Sequence, residues 1–265
     1  MSEISVAIIG GTGVYNQSLL DDEKQVTVET KYGAVSMQSG KYDGRRVYFL
    51  ARHGGNHSVP PHKVNYKANI AALKKVGAHA VLATAAVGTL RREMPPGSIV
   101  VIDQFIDLTK QRPLTFYDGE ESPVVHTDFS EPYCKEIREA VFGAGETLGQ
   151  GLVDGGCYVC TEGPRFETPA EIRMIEQWGG DLVGMTNVPE VVLAREAGLC
   201  YAALALPTNY AAGISLSPLT HEEVLEEMDR GKAALDNLLA AFISTVKPQH
   251  SCSCKDAGKY WPGES

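Results

Sequence analysis

Ile4-Ser5-Val6-Ala7-Ile8-Ile9-Gly10-Gly11-Thr12-Gly13 opens with a short apolar, β-branched run and breaks into a glycine turn. Such a run, bounded by a turn signal, predicts a strand over Val6–Ile9. Similar runs recur at Val26–Glu29, Val47–Leu50, Ala80–Ala83, Ile99–Ile102, Gly156–Thr161, Asp181–Gly184 and Tyr201–Leu206. Helical patterns lie among them at Asn65–Val76, Pro132–Leu148, Pro169–Trp178, Pro189–Ala197 and His221–Thr245. This alternation predicts an α/β fold with a largely parallel or mixed sheet.

Local signals mark several boundaries. Thr168-Pro169-Ala170-Glu171 is a capping box with proline at the first helical position. Thr220-His221-Glu222-Glu223 is a second capping box, and Pro189 starts another helix. The aperiodic segment from Asp107 to Ser130 has a length that usually signals a functional or site-covering loop. No repeat and no linker divides the chain, so residues 1–246 read as one domain. Residues 247–265 are polar and read as a flexible, cysteine-containing tail.

Composition narrows the class. A formal net charge of −9 argues against nucleic acid as a bulk partner, but leaves room for a small anion held locally. No window approaches a membrane span, and no signal peptide is read, so no membrane partner and a cytoplasmic location are expected. Cys134, Cys157, Cys160 and Cys200 sit in apparent core elements, as in a reduced protein. Cys157 and Cys160 lie three apart on a strand and should face opposite ways. Cys252-Ser253-Cys254 leaves three readings open: a strained local disulfide, a soft-metal ligand pair, or two exposed thiols on a loose tail, the last favoured by the polar composition.

Two groups of residues carry chemistry. The Gly10–Gly13 turn presents backbone N–H groups and the Thr12 hydroxyl, as anion cradles do. It is incomplete both as a dinucleotide fingerprint and as a P-loop. Arg52-His53-Gly54 ends another strand, where an arginine can fork onto phosphate oxygens. His53, His57 and His62 lie in a Gly/Pro loop without helical spacing or a nearby cysteine, so the anion reading is preferred over zinc. Ala85-Ala86-Val87-Gly88 reads as a small-residue turn suited to close backbone approach. On the other side, Phe166 offers an aromatic face, Glu167 a carboxylate, and Asn209 a carboxamide at a strand end beside Ala211. A purine pocket needs these three kinds of group.

The chain resembles the purine nucleoside phosphorylase and methylthioadenosine phosphorylase family over about Val6 to Ile243. Ile8–Gly13, Ala51–Gly54, Lys63-Val64-Asn65-Tyr66, Asp103–Asp107, Phe116–Gly119, Gly184-Met185-Thr186 and Val188-Pro189-Glu190 carry the likeness, in order. Its frame looks most like the methylthioadenosine branch. The resemblance implies a single domain with a central mixed sheet surrounded by helices, and a homotrimer or dimer of trimers. His126 and the Asp107–Ser130 loop would then complete a neighbour's site. It implies that Thr12, Arg52, His53, the Ala86 amide and Thr186 hold phosphate, that Met185 lies under the ribose, and that Phe166 lies beside the base. No metal or cofactor is implied; phosphate is a co-substrate.

Three departures bear on specificity. The methylthioadenosine branch typically has threonine at Ala85, serine at Glu167, and Thr-Asp-Tyr-Asp where this chain reads Thr208-Asn209-Tyr210-Ala211. Glu167 and Asn209 instead resemble the 6-oxopurine enzymes: Glu167 can accept N1–H and Asn209 can bond N7 and O6. The Thr220–Val224 run resembles the helix start at which a histidine, here His221, meets the ribose 5′-hydroxyl. The expected activity is phosphate-dependent cleavage of inosine and guanosine to base and ribose 1-phosphate, with Asn209 and Glu167 as the catalytic pair. Methylthioinosine and methylthioadenosine phosphorylases are the alternatives of the same chemistry. An NAD-dependent oxidoreductase and a non-catalytic nucleoside-binding protein are the alternatives of other classes.

Overall fold

The computed structural model describes residues 4–11, 20–54, 58–119, 122–214, 220–247 and 251–261, apart from the side chains of His221 and Glu223. The first strand, β1 (Ser5–Gly10), is buried throughout. Successive side chains alternate across it: Ala7 and Ile9 enter one core, Val6 and Ile8 the other. Burial on both faces is why the run is apolar without a break.

Parallel neighbours flank β1. These are β4 (Arg45–Ala51) on one edge and β5 (Ala80–Thr89) on the other. An antiparallel meander of β2 (Asp21–Val28) and β3 (Val35–Tyr42) extends the sheet beyond β4. On its far edge β5 pairs in parallel with β11 (Tyr201–Tyr210), which carries β6 (Val100–Val101) and then β8 (Val153–Asp154). The remaining strands, β7 (Gln104–Leu108), β9 (Cys157–Thr161) and β10 (Leu182–Gly184), run parallel to one another. β10 joins them to the end of β5 in antiparallel sense. The described residues thus form a mixed sheet, as the alternation predicts.

Helices cover both faces. α1 (Tyr66–Lys75) and α4 (Asn187–Glu196) pack on the Ala7/Ile9 face. α2 (Lys135–Leu148) and the long α5 (His221–Thr245) pack on the Val6/Ile8 face. α3 (Pro169–Gln177) covers the β9–β10 end and starts with the expected capping box: Thr168 accepts from the Glu171 N–H and Glu171 accepts from the Thr168 N–H.

The structure corrects four expectations. β3 and β7 are strands that sequence periodicity did not mark, because their polar residues interrupt the apolar pattern. Ala85–Gly88 is not a turn but the continuation of β5, and β11 likewise runs on through Asn209. Small residues there permit close packing rather than a bend. The segment after Lys247 is not a loose tail where it is described. Ser251–Trp261 folds back as α6 (Cys254–Ala257) and a 3₁₀ turn over Gly258–Tyr260. Its contacts are tertiary: Gly258 and Gly198 approach so closely that a Cβ on Gly258 would lie 2.6 Å from the Gly198 Cα, and Trp261 meets the edge of Phe116 at 4.5 Å. Finally, Cys254 is buried rather than exposed.

Candidate active site

β5 has two different partners along one edge. β1 accompanies it only to Ala83, and β10 meets it only at Gly88 and Thr89. The edge between them, Thr84 to Val87, is left open. β1 is parallel to β5 and β10 antiparallel, so their C-terminal ends run toward each other across this gap. Gly10-Gly11 arrives from one side and Gly184-Met185-Thr186 from the other. A cavity of about 380 Å³ fills the gap, a size that suits a small ligand.

One side is built around Arg52, the expected anion ligand. The side chain is 1 % exposed and three of its five N–H groups are engaged. Nε and Nη2 donate to the two Glu190 oxygens at 2.7 and 2.8 Å, and Nη1 donates to the Thr84 carbonyl at 2.9 Å. Among the described residues one N–H on each terminal nitrogen is left over, a fork of the spacing that matches two oxygens of one anion. Glu190 has no exposed surface and takes a further bond from the Tyr201 hydroxyl at 2.9 Å. Asn187 donates to that hydroxyl at 3.3 Å and accepts from Tyr133. Burial works to lower the Arg52 pKa, but the Glu190 charge and hydrogen bonds outweigh it and hold the guanidinium firmly protonated.

The remaining anion-side residues surround this fork. Gly11 donates its N–H to Thr84 Oγ1 at 3.2 Å. A Cβ there would stand 3.0 Å from the Thr84 carbonyl and 3.3 Å from Arg52 Nη1, so only glycine fits without a shift. His53 lines the cavity and gives its Nδ1–H to the Val59 carbonyl at 2.8 Å, which orients the ring. Ala86 lies on the open edge of β5, and Ala85 contributes no hydroxyl. Thr186 precedes α4 and makes no side-chain cap bond. Thr12 and His57 lie outside the described residues.

Glu167 and Asn209 stand at the opposite end. Thr161 donates its hydroxyl to Glu167 Oε1 at 2.6 Å. Burial raises the Glu167 pKa above the usual carboxylate value, against this bond. The β5–β11 register slips between Pro207 and Asn209, a bulge of the kind that re-aims a side chain beside a site. Asn209 Oδ1 accepts from the Thr208 hydroxyl at 3.0 Å and Nδ2 donates to the Tyr210 carbonyl at 3.0 Å, which sets the carboxamide orientation. Phe166, 40 % exposed, and Pro164 flank the mouth; Met185, Val183, Ala211 and Val224 supply apolar wall. Gly163 has φ +64°, and a Cβ there would come within 2.5 Å of Met185 Sδ. The His221 side chain lies outside the described part, although its backbone opens α5 three residues before Val224.

Arg112 was missed by sequence reading. It lies in the aperiodic Asp107–Ser130 segment and is 7 % exposed. Nη1 donates to the Met185 and Val188 carbonyls at 2.8 and 2.6 Å, and Nη2 to those of Thr161 and Glu162 at 3.2 and 2.8 Å. One guanidinium thereby ties the backbone at Met185 to the backbone leading into Glu167. Glu190 was also given no role, though an acid in the first turn of a buried helix is a signal for a paired charge.

The cavity at the open edge of the sheet is lined by Arg52 and His53 together with Phe166, Glu167 and Asn209. Comparison with known proteins gives the family: the chain belongs to the phosphorylase superfamily, whose model matches residues 5–244. It is 54 % identical to a probable 6-oxopurine nucleoside phosphorylase of Moorella thermoacetica, over 96 % of this chain and 98 % of that one. It is 50 % identical to a probable S-methyl-5′-thioinosine phosphorylase of Methanothermobacter thermautotrophicus, over 95 % of this chain and 88 % of that one. A solved structure of Schistosoma mansoni methylthioadenosine phosphorylase in complex with adenine superimposes with a TM-score of 0.90 at 32 % identity, covering 97 % of this chain and 96 % of that one. The chain is therefore a pentosyl-transferring purine nucleoside phosphorylase in fold and chemistry, with the frame of the methylthioadenosine enzymes.

Proposed function

We propose that this chain cleaves 6-oxopurine ribonucleosides, inosine and guanosine, with phosphate to give the free base and ribose 1-phosphate. The observation that supports the reading is that Glu167 and Asn209 line the same cavity as Arg52. A carboxylate accepts the N1–H that a 6-oxopurine carries and adenine lacks. A carboxamide donates to O6 or N7. Sites built on such polar pairs discriminate by roughly 10⁴-fold.

Phosphate bound by Arg52, His53, Thr186, the Ala86 amide and Thr12 attacks the anomeric carbon as the glycosidic C–N bond breaks. The new C–O bond forms on the sugar and the C–N electron pair departs with the purine. Arg52 holds the anion against the positive charge that develops on the ribose, while Asn209 and Glu167 stabilise the leaving base. Met185 packs under the sugar and Phe166 beside the base. A homotrimer is proposed, in which the segment bearing exposed Leu114, Val124 and His126 faces a neighbour's site, and a cytoplasmic location. Among the described residues no helix is long and apolar enough to cross a membrane.

Val224 favours a second reading. It lines the cavity one helical turn from His221, and an apolar wall suits a 5′-methylthio group. Phosphate-dependent base release from inosine, methylthioinosine and methylthioadenosine, compared by kcat/KM, decides. Inosine highest supports the proposal. Methylthioinosine highest keeps the base pocket and removes the His221 role. Methylthioadenosine highest refutes the roles of Glu167 and Asn209.

A further inference from the structure

Four cysteines from three separate stretches of the chain meet where the start of β11 and the start of α2 come together, beside α4. Cys134 precedes α2, Cys200 precedes β11, and Cys252 and Cys254 come from the folded-back C-terminal segment. Their four Sγ atoms all lie within 4.8 Å of one another. Cys252 Sγ is 3.6 Å from Cys134 Sγ and 3.4 Å from Cys200 Sγ. Cys134, Cys200 and Cys254 are 2, 5 and 3 % exposed, and Cys252 is partly buried. Among the described residues this is the one group of three or more such side chains placed to share an ion.

We infer that Cys134, Cys200, Cys252 and Cys254 form a closed tetrahedral thiolate site for a zinc-class divalent ion, outside the catalytic cavity, that fastens the C-terminal segment to the core.

The spacing fits. With a metal–sulfur distance of about 2.3 Å, the sulfurs of a tetrahedral site stand about 3.8 Å apart. Two observed separations, 3.4 and 3.6 Å, lie within 0.4 Å of that edge, all four sulfurs lie within 4.8 Å of one another, and these two pairs far exceed a bonded sulfur pair. The ligand set is all soft sulfur, which selects zinc over magnesium or calcium. Four protein sulfurs fill a tetrahedral ion's coordination and leave no position for a substrate, so the role is structural. Binding expels the thiol protons to solvent, and four thiolates around a divalent ion leave a charge of −2. Arg195, 7 % exposed, answers part of that charge, with Nη1 3.8 Å from Cys254 Sγ. Lys74 lies within electrostatic reach of Cys200.

The site has a consequence for the segment it holds. Trp261 packs against Phe116, and Phe116 donates its N–H to Glu196 at 2.7 Å. Phe116 stands four residues from Arg112, so fastening the C-terminal segment supports the stretch that organises the cavity.

The test uses the full chain, purified under reducing conditions from zinc-supplemented medium. Metal content by mass spectrometry, release by a thiol-blocking mercurial, and the absorption of a cobalt-exchanged sample are the readouts. The expected result is one zinc per chain and sulfur-to-cobalt charge-transfer bands. The Cys252→Ser/Cys254→Ser double variant should lose both and show a lower Tm, and Cys157→Ser should keep both. Retained phosphorolysis by the double variant shows that it folds. Three results overturn the inference: less than stoichiometric zinc in the fully reduced unmutated chain, cobalt bands that survive in the double variant, or an intact mass lacking two hydrogens per bridge because the sulfurs are oxidised in pairs. The cobalt spectrum of the unmutated chain keeps the test decisive even if the double variant fails to fold.

Discussion

Replacing Glu190 by glutamine tests how the anion side is built. The change keeps shape and removes one charge. In the native chain Glu190 accepts two bonds from Arg52, at 2.7 and 2.8 Å, and one from Tyr201 at 2.9 Å, with no exposed surface. Glutamine retains one acceptor. Its NH₂ would face a guanidinium N–H, donor against donor, and the Arg52 charge would be left buried without a counter-ion. Breaking a buried pair in this way costs about 3–5 kcal/mol. At roughly 2–4 °C per kcal/mol for a chain of this size, the Tm should fall by roughly 6–20 °C. The leftover Arg52 fork would also lose its aim. A charge-assisted hydrogen bond carries about 1.5–3 kcal/mol, so the phosphate KM should rise roughly tenfold to a hundredfold, while the nucleoside KM moves little.

Phosphate itself sharpens the test. An anion at the fork supplies the missing negative charge, so saturating phosphate should recover more Tm in the Glu190→Gln variant than in the parent. A ligand at one hundred times its Kd stabilises by about 2.7 kcal/mol, so the parent sets the scale for that recovery. Thermal unfolding with and without phosphate, and initial rates at varied phosphate, supply the numbers. A variant with unchanged Tm and a phosphate KM within twofold of the parent would refute the idea that Glu190 positions Arg52.

Four further outcomes are expected. Glu167→Gln should lower kcat/KM for inosine by roughly 10- to 100-fold, the loss of one charge-assisted bond, without lowering the Tm: burial raises the Glu167 pKa, so its charge costs stability as pH rises through that value. For the same reason the acid limb of the inosine profile should lie above the usual carboxylate range, since the accepting carboxylate is lost as pH falls through the raised pKa, and Glu167→Gln should flatten it. Asn209→Asp should shift preference from inosine toward adenosine, read as the ratio of their kcat/KM values; an unchanged ratio would remove Asn209 from base selection. Arg112→Ala strands four backbone carbonyls and should cost at least about 3 kcal/mol in denaturant unfolding, raising the nucleoside KM more than the phosphate KM.

The sheet and its helices were legible because their signals are local. Val6–Ile9 is apolar on both faces, Thr168–Glu171 caps itself, and both patterns sit within a few residues. The side chains proposed for the candidate site do share one cavity: Arg52, His53, Glu167, Met185 and Asn209 all line it. What escaped reading was nonlocal. Glu190 meets Arg52 across 138 residues, and Arg112 reaches carbonyls 49 to 76 residues away, so neither contact has a sequence period. The C-terminal segment misled for a related reason. Its polar composition predicts a loose end, but Cys254 and Trp261 each find a buried partner that only the tertiary fold supplies.

The proposed roles would let one frame serve several nucleosides. The anion side is set by backbone at the gap in β5 and by a charge network sealed behind it, in which Arg52, Glu190, Tyr201 and Asn187 constrain one another. A change there disturbs a closed set, so under the proposed function it should cost stability and phosphate binding together. The base side rests on single residues at the ends of separate elements: Glu167 just before α3, Asn209 at the β11 bulge and Val224 in the first turn of α5. These share no hydrogen bond with one another among the described residues, so each can be exchanged without dismantling the others. Substrate choice in this fold should therefore vary by independent substitutions at the base side, while the phosphate side stays a unit. A double-mutant cycle between Glu167→Gln and Glu190→Gln should accordingly be additive in stability to within roughly 0.5 kcal/mol. A larger coupling would mean that the two ends of the cavity are not built separately.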